Sequence, residues 1–506
     1  MHRSGERGVA LVFTLFLMAA LSAMAVSMMF LAQTETSASR NYRTMSQARY
    51  AGEAGVHKAI NYLVYNYTPP TVITSYATAA SPYVTYGGNP VVLSYDSTLS
   101  NYPDAAVTTA FAAAAQGSLA VGSGTVTYQA TAKLISMQSV GIYGGSNATI
   151  QTWEITAVGT VPGPLPATVE VTAVVERDIV PSQSYAIFAT GSGCGAINLG
   201  GTSHTDSYDS RNMPTLPPPT TNSNGGVGTN GNLTVSGNVV VNGNLDTPRT
   251  GVGSCSAGTP TALTGGGSAT VTGSMVQLPQ AKTYPTPDPP QSPYLPANTA
   301  QTIPANSIGC TSLLNGNTGA SCTYDSSGKT FTVTSNGATP LVFNNLTLGS
   351  QVKMVVQYGV LGVPVAGPNT NSVNMNVNSF VLGSQAELNI GPNTALVMNV
   401  QGTGMATPVD FSGGAFANIS YKPENFQLLY AGTGQLELIG GNAAAISVYA
   451  PNASVRLNGN ADIYGSVLCN TYTNGGNGSV HYDSSLTTKF FTLGNYIMTT
   501  FSWKKY

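Results

Sequence analysis

Two short segments of the 506-residue chain carry the side chains best suited to chemistry. The first, SHTDSYDS, contains His204, Asp206, Tyr208 and Asp209, and the second, GSVHYDSSL, contains His481, Tyr482 and Asp483. These residues could bind Ca²⁺ through Asp206 and Asp209, or transfer protons through the histidine and aspartate pairs. Because Ca²⁺ takes six to eight oxygen ligands, two carboxylates with hydroxyl neighbours make only a weak site. We therefore expect Asx turns and hydrogen-bonded corners, with no metal, cofactor or catalytic residue.

The remaining charged residues offer little material for an enzyme active site. Between residues 360 and 480 they are Glu387, Asp410, Lys422, Glu424, Glu437, Arg456 and Asp462. The second half of the chain is predicted below to form a parallel β-helix, a fold that includes polysaccharide lyases. The active sites of such enzymes need clustered acidic and basic groups on one face. The sequence also lacks a G-x-S-x-G nucleophile elbow, a phosphate-binding loop and a metal-spaced histidine pair. We predict a protein that is not an enzyme, and keep a membrane-anchored or secreted carbohydrate-binding or lyase-type β-helix protein as the alternative.

Composition points to a β-rich protein that works outside the cytosol. Charged residues make up 8% of the chain, against about 25% in an ordinary soluble protein. The formal net charge is -2 and no long basic run is present, so we exclude nucleic acid as a partner. The 57 Gly and 30 Pro residues, with many Ser, Thr and Asn residues, favour short strands and turns over helices.

An uncharged stretch near the N-terminus indicates where in the cell the protein is located. Residues 9–32 have only Thr14, Ser22 and Ser27 as polar members, and as a helix they span roughly 36 Å. That length exceeds the ~30 Å hydrocarbon core of a bilayer. In the leader, residues 1–8, two arginines outweigh one glutamate, which predicts a cytoplasmic N-terminus and delivery of the remainder across the membrane. The stretch could be a secretory signal peptide that is removed, a membrane anchor that is never cleaved, or a membrane helix that loses only its short leader.

The apolar stretch continues into a second, amphipathic helical segment. From residue 33 to residue 65 the chain has no proline, and small or apolar residues recur at spacings of three and four. We predict one continuous helix over residues 9–66, of which 9–32 span the membrane. It is roughly 85 Å long and is ended by Pro69 and Pro70.

These features together carry a family resemblance. The basic leader, Gly8, the apolar stretch from Val9, the continuous helix and the segment ARYAGEAGVHKA resemble the N-terminus of type IV pilin-like proteins, specifically PilX-like minor pilins. Minor pseudopilins of type II secretion are near neighbours. The resemblance implies cleavage by prepilin peptidase between Gly8 and Val9 and methylation of Val9. It also implies a single-pass inner-membrane protein with a periplasmic C-terminal part, later displayed on a pilus at the cell surface.

One position departs from the pilin pattern. Most pilins carry Glu at the fifth residue of the mature chain, where this sequence has Phe13. That Glu neutralises the amino terminus of a neighbouring subunit, and an unpaired charge in an apolar filament core is costly. We therefore expect a minor subunit that primes or tips a filament. Its implied partners are other minor and major pilins, prepilin peptidase and the inner-membrane platform.

The rest of the chain is predicted to form two β domains. Strands with period-two alternation, such as the one containing Trp153, Ile155 and Ala157, indicate a pilin-like β domain over residues 67–180. Short apolar runs separated by Gly and Asn over residues 181–489 favour a parallel β-helix-like solenoid, with a β-sandwich as the alternative. Low charge suits a solenoid, because like charges repel along stacked turns whereas Asn and Thr ladders form hydrogen bonds. Such a polar face could bind surface glycans in adhesion.

Three further features complete the domain prediction. Pro-rich stretches near residues 213–221 and 279–330 are predicted to be excursions over the surface, because proline cannot donate to a strand ladder. The aromatic tail, residues 490–506, is predicted to cap an open end of the solenoid, with a partner-binding strand as the alternative. Cys310 and Cys322 flank an Asn-Gly turn and could form a local disulfide, and the odd number of cysteines leaves at least one thiol free.

Overall fold

The computed structural model places most of the chain in two compact units. It describes residues 6–70, 72–78, 82–121, 124–143, 147–164, 166–266, 270–290, 300–306, 308–360, 363–364, 371–438, 444–457, 459–460 and 462–505. The first unit, called the N-terminal unit, consists of Met1–Val140, Asn147–Asp178 and Gly494–Tyr506. The second, called the solenoid unit, consists of Gly141–Ser146 and Ile179–Leu493.

The elements are numbered along the chain. The first group is α1 (Glu6–Tyr65), β1 (Tyr76–Ala77), β2 (Thr85–Tyr86), β3 (Asn89–Pro90), β4 (Val92–Ser94), α2 (Ala105–Ala114), β5 (Gln116–Val121), β6 (Gly124–Gly141), β7 (Asn147–Val161) and β8 (Ala167–Pro181). The second group is β9 (Ile187–Ala189), β10 (Ile197–Leu199), β11 (His204–Tyr208), β12 (Val227–Thr229), β13 (Leu233–Ser236), β14 (Val240–Val241), β15 (Leu245–Thr247), β16 (Leu263–Gly266), β17 (Thr270–Val271) and β18 (Met275–Gln277). The third group is β19 (Ala300–Ile303), α3 (Ile308–Leu314), β20 (Ala320–Asp325), β21 (Thr330–Ser335), β22 (Leu341–Leu348), β23 (Lys353–Val360), β24 (Val363–Pro364), β25 (Asn371–Leu382), β26 (Glu387–Ile390), β27 (Thr394–Val400), β28 (Val409–Asp410), β29 (Ala415–Ala417), β30 (Phe426–Tyr430), β31 (Gln435–Leu438), β32 (Ala445–Leu457), β33 (Ile463–Asn474), β34 (Val480–Asp483) and β35 (Phe491–Lys505).

The long N-terminal helix predicted from the sequence is confirmed. Helix α1 runs without interruption for 60 residues, about 90 Å, and ends at Tyr65 shortly before Pro69 and Pro70. Among the described residues it is the one helix that is long and apolar enough to cross a membrane, with a mean hydropathy of 2.5 in its most apolar window. The side chains of that window are not buried by any other part of the chain.

Small residues let the second half of α1 lie very close to the sheet of the N-terminal unit. A Cβ atom added to Gly159 of β7 would lie 1.9 Å from the carbonyl oxygen of Ala48, and one added to Gly52 would lie 2.7 Å from Cγ2 of Val171. Gly55 faces Ala157 and the Tyr128 ring in the same way. The small residues of the ARYAGEAG segment therefore have a packing role, because larger side chains would force the helix away from the strands.

The sheet of the N-terminal unit has the strand order β35-β8-β7-β6-β4, with β5 also paired to β6. Strands β7 and β8 are antiparallel, and Trp153, Ile155 and Ala157 are fully buried while the residues between them are partly exposed. The alternation predicted from the sequence is thus confirmed. It follows from the strand period of two, which places successive side chains on opposite faces.

The position of the aromatic tail differs from the predicted solenoid cap. Most of the tail instead forms β35 (Phe491–Lys505), which pairs with β8 of the N-terminal unit. There the Thr499 hydroxyl donates to the Val174 carbonyl oxygen at 3.2 Å, and the Arg49 guanidinium lies 5.4 Å from the centre of the Trp503 ring. The tail forms a backbone ladder on an available sheet edge, but the burial expected for its aromatic residues is not found at Phe491, Phe501 and Trp503, which are 40%, 42% and 48% exposed.

The solenoid unit is a parallel β-helix with three strand positions in each of its early turns. Strands β9, β12, β15 and β18 follow one another in one ladder, β10, β13 and β16 in a second, and β11, β14 and β17 in a third. All of these pairings are parallel. The parallel β-helix prediction is confirmed over the β-sandwich alternative, whose sheets are antiparallel.

The turns do not stack in the order of the sequence. After β18 the chain passes to β19 and then adds β22, β25, β27, β30, β32 and β33 in parallel ladders that lead back to β9. Strand β33 pairs with β9 and β10, and β34 pairs with β11, all in parallel. The first turn, β9 to β11, is therefore enclosed between the second turn and the last turn. We call the contact of the first and last turns the closure seam.

Residues 279–290 of the second Pro-rich stretch run over the surface, and residues 291–299 lie outside the described residues. In contrast, β19 joins the ladder beside β22 and buries Ile303, contrary to the excursion predicted near residues 279–330. The Lys282 amide donates to Oδ1 of Asn230 at 2.8 Å, and the Tyr449 hydroxyl donates to the Pro285 carbonyl oxygen at 2.7 Å. Between these anchors, the Tyr284 ring packs 5.0 Å from Phe188 on the outside of the solenoid. This stretch therefore covers outward-facing aromatic side chains from turns that are far apart in sequence.

Ladders of similar side chains stabilise the turns. Inside, Phe380, Phe411, Phe416 and Phe426 form a chain of ring contacts with centroids 5.6 to 5.7 Å apart. Amide side chains also stack, and the Asn378 amide donates to Oδ1 of Asn345 at 2.9 Å. Lys353 and Glu387 are one stacked pair of opposite charge, with their charged atoms 3.0 Å apart. These contacts fit the expected reason for the low charge content.

Candidate functional site

The first candidate functional surface is the apolar part of α1, residues 9–32. Gly8 and Val9 lie in the same helix, at its N-terminal end. Val9 is 66% exposed, Phe13 is 74% exposed and Phe16 is 73% exposed. A continuous apolar surface of this size must be covered by lipid or by other protein in water. A single-pass membrane anchor fits these observations.

The cysteines form two disulfides in the structure. Cys310 of α3 and Cys322 of β20, the pair selected from the sequence, are bonded with their Cα atoms 5.5 Å apart. A second disulfide joins Cys194 and Cys255, which are 61 residues apart in sequence. Cys469 remains free and is buried. Burial raises the pKa of its thiol, so it is an inert core residue.

The second candidate site lies on the closure seam, where the two histidine segments come together. Strands β11 and β34 are neighbours in parallel register, so that Asp206 is opposite His481 and Tyr208 is opposite Asp483. The sequence placed these segments at the start and the end of the solenoid. Because the first and last turns adjoin, residues 275 positions apart become direct neighbours.

His481 is held between two carboxylates. Its Nδ1 lies 2.5 Å from Oδ1 of Asp206, and its Nε2 lies 3.5 Å from Oδ2 of Asp462. Burial by itself would lower the pKa of His481, but the hydrogen bonds and negative charges of Asp206 and Asp462 raise it to about 9. Burial acts on the two aspartates in the opposite sense, and their histidine contacts outweigh it, so the pKa of each carboxyl is lowered.

His204 completes the cluster on its solvent side. Its Nε2 lies 3.6 Å from Oδ2 of Asp206, and its Nδ1 lies 2.8 Å from the Ser479 hydroxyl oxygen. The Tyr464 ring packs on His481 with centroids 4.5 Å apart. Asp206 and His481 are buried, whereas the His204 side chain is 41% exposed, so the cluster opens to solvent on one side.

The other residues of the two segments have structural partners. The Tyr208 hydroxyl donates to the Tyr421 carbonyl oxygen, and the Tyr482 hydroxyl donates to the Gln183 carbonyl oxygen. Asp209 accepts from the Arg211 amide and guanidinium, and Asp483 accepts from the amides of Ser210 and Ser485. These are the Asx turns and corners that the sequence led us to expect. Asp209 therefore pairs with Arg211, while Asp206 contacts histidines.

The sequence analysis did not predict that the two histidine segments lie on adjacent strands, or that Asp462 contacts His481. The available signal was the similarity of H-T-D-S at residue 204 and H-Y-D-S at residue 481. Similar short motifs are expected on adjacent turns of a solenoid. Asp462 gave no local signal, because it lies just before β33 and reaches His481 only through the pairing of β33 with β34.

Comparisons with known proteins bear on both ends of the chain. Residues 7–57 match the family model described as PilX N-terminal. Residues 369–489 match a domain of unknown function, DUF7305, and this range includes Asp462 and His481. The crystal structure of the competence-associated pilin ComZ from Thermus thermophilus is similar with a TM-score of 0.23 and 13% identity, covering 92% of this chain and 98% of that chain. No curated protein matches the chain.

Replacing Asp206 should weaken the solenoid far more than replacing its neighbour Asp209. In Asp206→Asn the buried His481 loses its closest charged partner, and we expect the free energy of unfolding to fall by about 3 kcal/mol, as for other broken buried ion pairs. Asp209→Asn is the matched control, because its exposed pair with Arg211 contributes little. Denaturant unfolding of the full chain, with hydrogen exchange of the β11 and β34 amides, measures both. Equal effects of the two substitutions would show that the seam cluster is not a stabilising element.

Proposed function

Residues 7–57 match the N-terminal segment of PilX-like, type IV pilin-like subunits. On this basis we propose that the protein is a minor pilin, which is processed and then docked into a type IV pilus. The observation that carries the proposal is the uncharged, uncovered surface of residues 9–32 on a helix that continues into a folded head. A surface of this kind can be held by lipid first and by neighbouring helices of a filament afterwards.

The proposed pathway has three steps. The protein inserts in the inner membrane with its C-terminal part in the periplasm, prepilin peptidase cleaves between Gly8 and Val9, and the new amino terminus is methylated. The processed helix then packs against other minor and major pilins with the help of the inner-membrane platform. The basic leader supports the proposed orientation, because positive residues stay on the cytoplasmic side.

Phe13 supports a role as a rare subunit. At the fifth mature position a carboxylate would pair with the amino terminus of a neighbouring subunit, and the Phe13 side chain has no charge to offer. An unpaired ammonium group in an apolar filament core is costly. We therefore infer that the subunit takes a position where this pairing is not needed, such as the first or terminal place in a filament.

The similarity of residues 7–57 to PilX-like proteins favours a structural protein over an enzyme. We further propose that the solenoid unit provides a surface for adhesion. A groove of about 530 Å³ in the solenoid unit is lined by amide side chains, among them Asn374, Asn376, Asn399 and Gln427, next to the apolar side chains of Val397 and Leu429. Amide groups beside apolar surface can hold sugar hydroxyls and sugar ring faces. We propose surface glycans as the ligands of this groove.

The mature N-terminus tests the proposed processing. We expect mass spectrometry of the protein from cells with prepilin peptidase to find a chain that begins at N-methylated Val9. Gly8→Val should block cleavage, because it alters the residue on the amino side of the cut bond. A secretory signal peptide would end in a small-x-small sequence, which Ala23-Met24-Ala25 supplies. Ala25→Val is therefore the matched control, since it alters only that sequence and should leave the start at Val9. A start at Val26 would instead identify a secreted protein, and a start at Met1 a fixed anchor.

Supplying the missing carboxylate should increase incorporation into filaments. We expect Phe13→Glu to raise the amount of this subunit in sheared filaments severalfold, because the new charge can neutralise a neighbouring amino terminus. Phe16→Glu is the control, since Phe16 is similarly exposed but lies off the fifth position, and it should lower incorporation. Quantitative immunoblots of filament and membrane fractions give the comparison. Identical behaviour of both variants would contradict the role assigned to Phe13.

Substitutions in the amide-lined groove should reduce adhesion without affecting assembly. We expect the double variant Asn374→Ala/Gln427→Ala to lose most of its binding to a glycan array, because it removes two sets of hydrogen-bonding groups from the groove. The control is Asn238→Ala/Gln277→Ala, which removes two exposed amides elsewhere in the solenoid unit. If both double variants bind glycans as the unmodified protein does, the groove is not the ligand site.

A further inference from the structure

The closure seam brings together a set of side chains with metal-ligand chemistry. His204, Asp206 and His481 each offer one ligand atom, and the three atoms lie within 4.8 Å of one another. We propose that this cluster binds one divalent transition-metal ion of the Zn²⁺ type, held by Nε2 of His204, the carboxylate of Asp206 and Nδ1 of His481. The inference concerns the solenoid unit alone and does not depend on the proposed pilus function.

The distances around Asp206 allow a shared ion. The Asp206 carboxylate lies between the two rings, with Oδ1 2.5 Å from Nδ1 of His481 and Oδ2 3.6 Å from Nε2 of His204. Ligand atoms around tetrahedral Zn²⁺ with bonds of about 2.0 to 2.2 Å lie roughly 3.3 Å apart. The separation of His204 and Asp206 fits this value, whereas the shorter hydrogen bond between Asp206 and His481 must lengthen when an ion replaces the proton between them. Two of the ligands are buried, and the third, His204, is partly exposed, so an ion can reach the cluster from solvent. Three protein ligands leave a fourth position for water.

The far nitrogen of each histidine ring is already fixed by an outer partner. Nε2 of His481 faces Oδ2 of Asp462 at 3.5 Å, and Nδ1 of His204 is hydrogen-bonded to the Ser479 hydroxyl at 2.8 Å. The Ser479 amide in turn donates to Oδ1 of Asp462 at 2.9 Å, so the outer partners are connected. Metal-bound histidines usually have this arrangement, in which a carboxylate or hydroxyl orients the ring and sets its tautomer.

The ligand set also selects among ions. Two imidazole nitrogens with one carboxylate suit Zn²⁺, Ni²⁺ and Cu²⁺, whereas Ca²⁺ and Mg²⁺ require oxygen ligands. Because Asp206 and His204 come from β11 and His481 from β34, a bound ion would join the first turn to the last turn directly. Its structural effect would be to tie together two segments that are 275 residues apart.

Zinc retention by the full-length protein in detergent tests the site. The protein is treated with EDTA, desalted, incubated with Zn²⁺ alone and desalted again, and zinc per chain is measured by elemental mass spectrometry. We expect one zinc ion per chain and a higher thermal unfolding midpoint with Zn²⁺. His204→Ala should lose retention, and Ser479→Ala should bind about tenfold more weakly, because its hydroxyl only orients His204. His57→Ala, which changes an exposed histidine on α1, is the matched control and should retain one ion.

The competing interpretation is a metal-free cluster in which a proton joins His481 to Asp206. It predicts that the unmodified protein retains no zinc, and that result would overturn the metal site. Retention by His204→Ala equal to that of the unmodified protein would also overturn it, as would displacement of zinc by excess Ca²⁺. His204 is partly exposed, so its replacement is expected to leave the fold intact, and circular dichroism of each variant checks this.

Discussion

The hydrogen bonds between the first and last turns of the solenoid are the interaction on which the rest of that unit depends. A strand with an unpaired edge exposes a row of amide and carbonyl groups that can pair with another chain. Strands β9, β10 and β11 have both edges covered, by β12 to β14 on one side and by β33 and β34 on the other. The first turn can therefore be completed only when the last turn is in place, which makes this a contact of very high sequence separation.

The closure seam also carries a cluster of buried charged side chains. Most ladder positions carry apolar or amide side chains, because identical charges on adjacent turns would repel each other about 4.8 Å apart. At the seam the neighbours are unlike, and Asp206 stands opposite His481. Unlike charges also stack between turns that are close in sequence, as in Lys353 and Glu387, but at the seam both Asp206 and His481 are buried. The buried charge cluster is thus a consequence of the discontinuous stacking order.

The N-terminal unit depends on a close approach between a helix and a sheet. Ala48 and Gly52 of α1 meet Gly159 of β7 with no room for a Cβ atom, which fixes the helix against the strands. The sheet is extended by β35, so the beginning and the end of the chain belong to the same unit. A truncation after residue 180 would consequently remove one strand of this sheet together with the solenoid, and its effects on assembly could not be assigned to the solenoid alone.

The sequence by itself determined the features that arise from local periodicity and composition. The uncharged helix and the alternation around Trp153 are readable within short windows, because side-chain spacing of 3.6 or 2 sets the buried face directly. The same windows favoured a parallel β-helix without excluding a β-sandwich, and they offered Cys310 and Cys322 as a possible local pair. Only the tertiary structure decided which turns adjoin, where the aromatic tail pairs, and that His481 meets Asp206 and Asp462. Backbone pairing between strands is available to any exposed edge, so the choice of partner depends on the whole folded chain rather than on any segment of it.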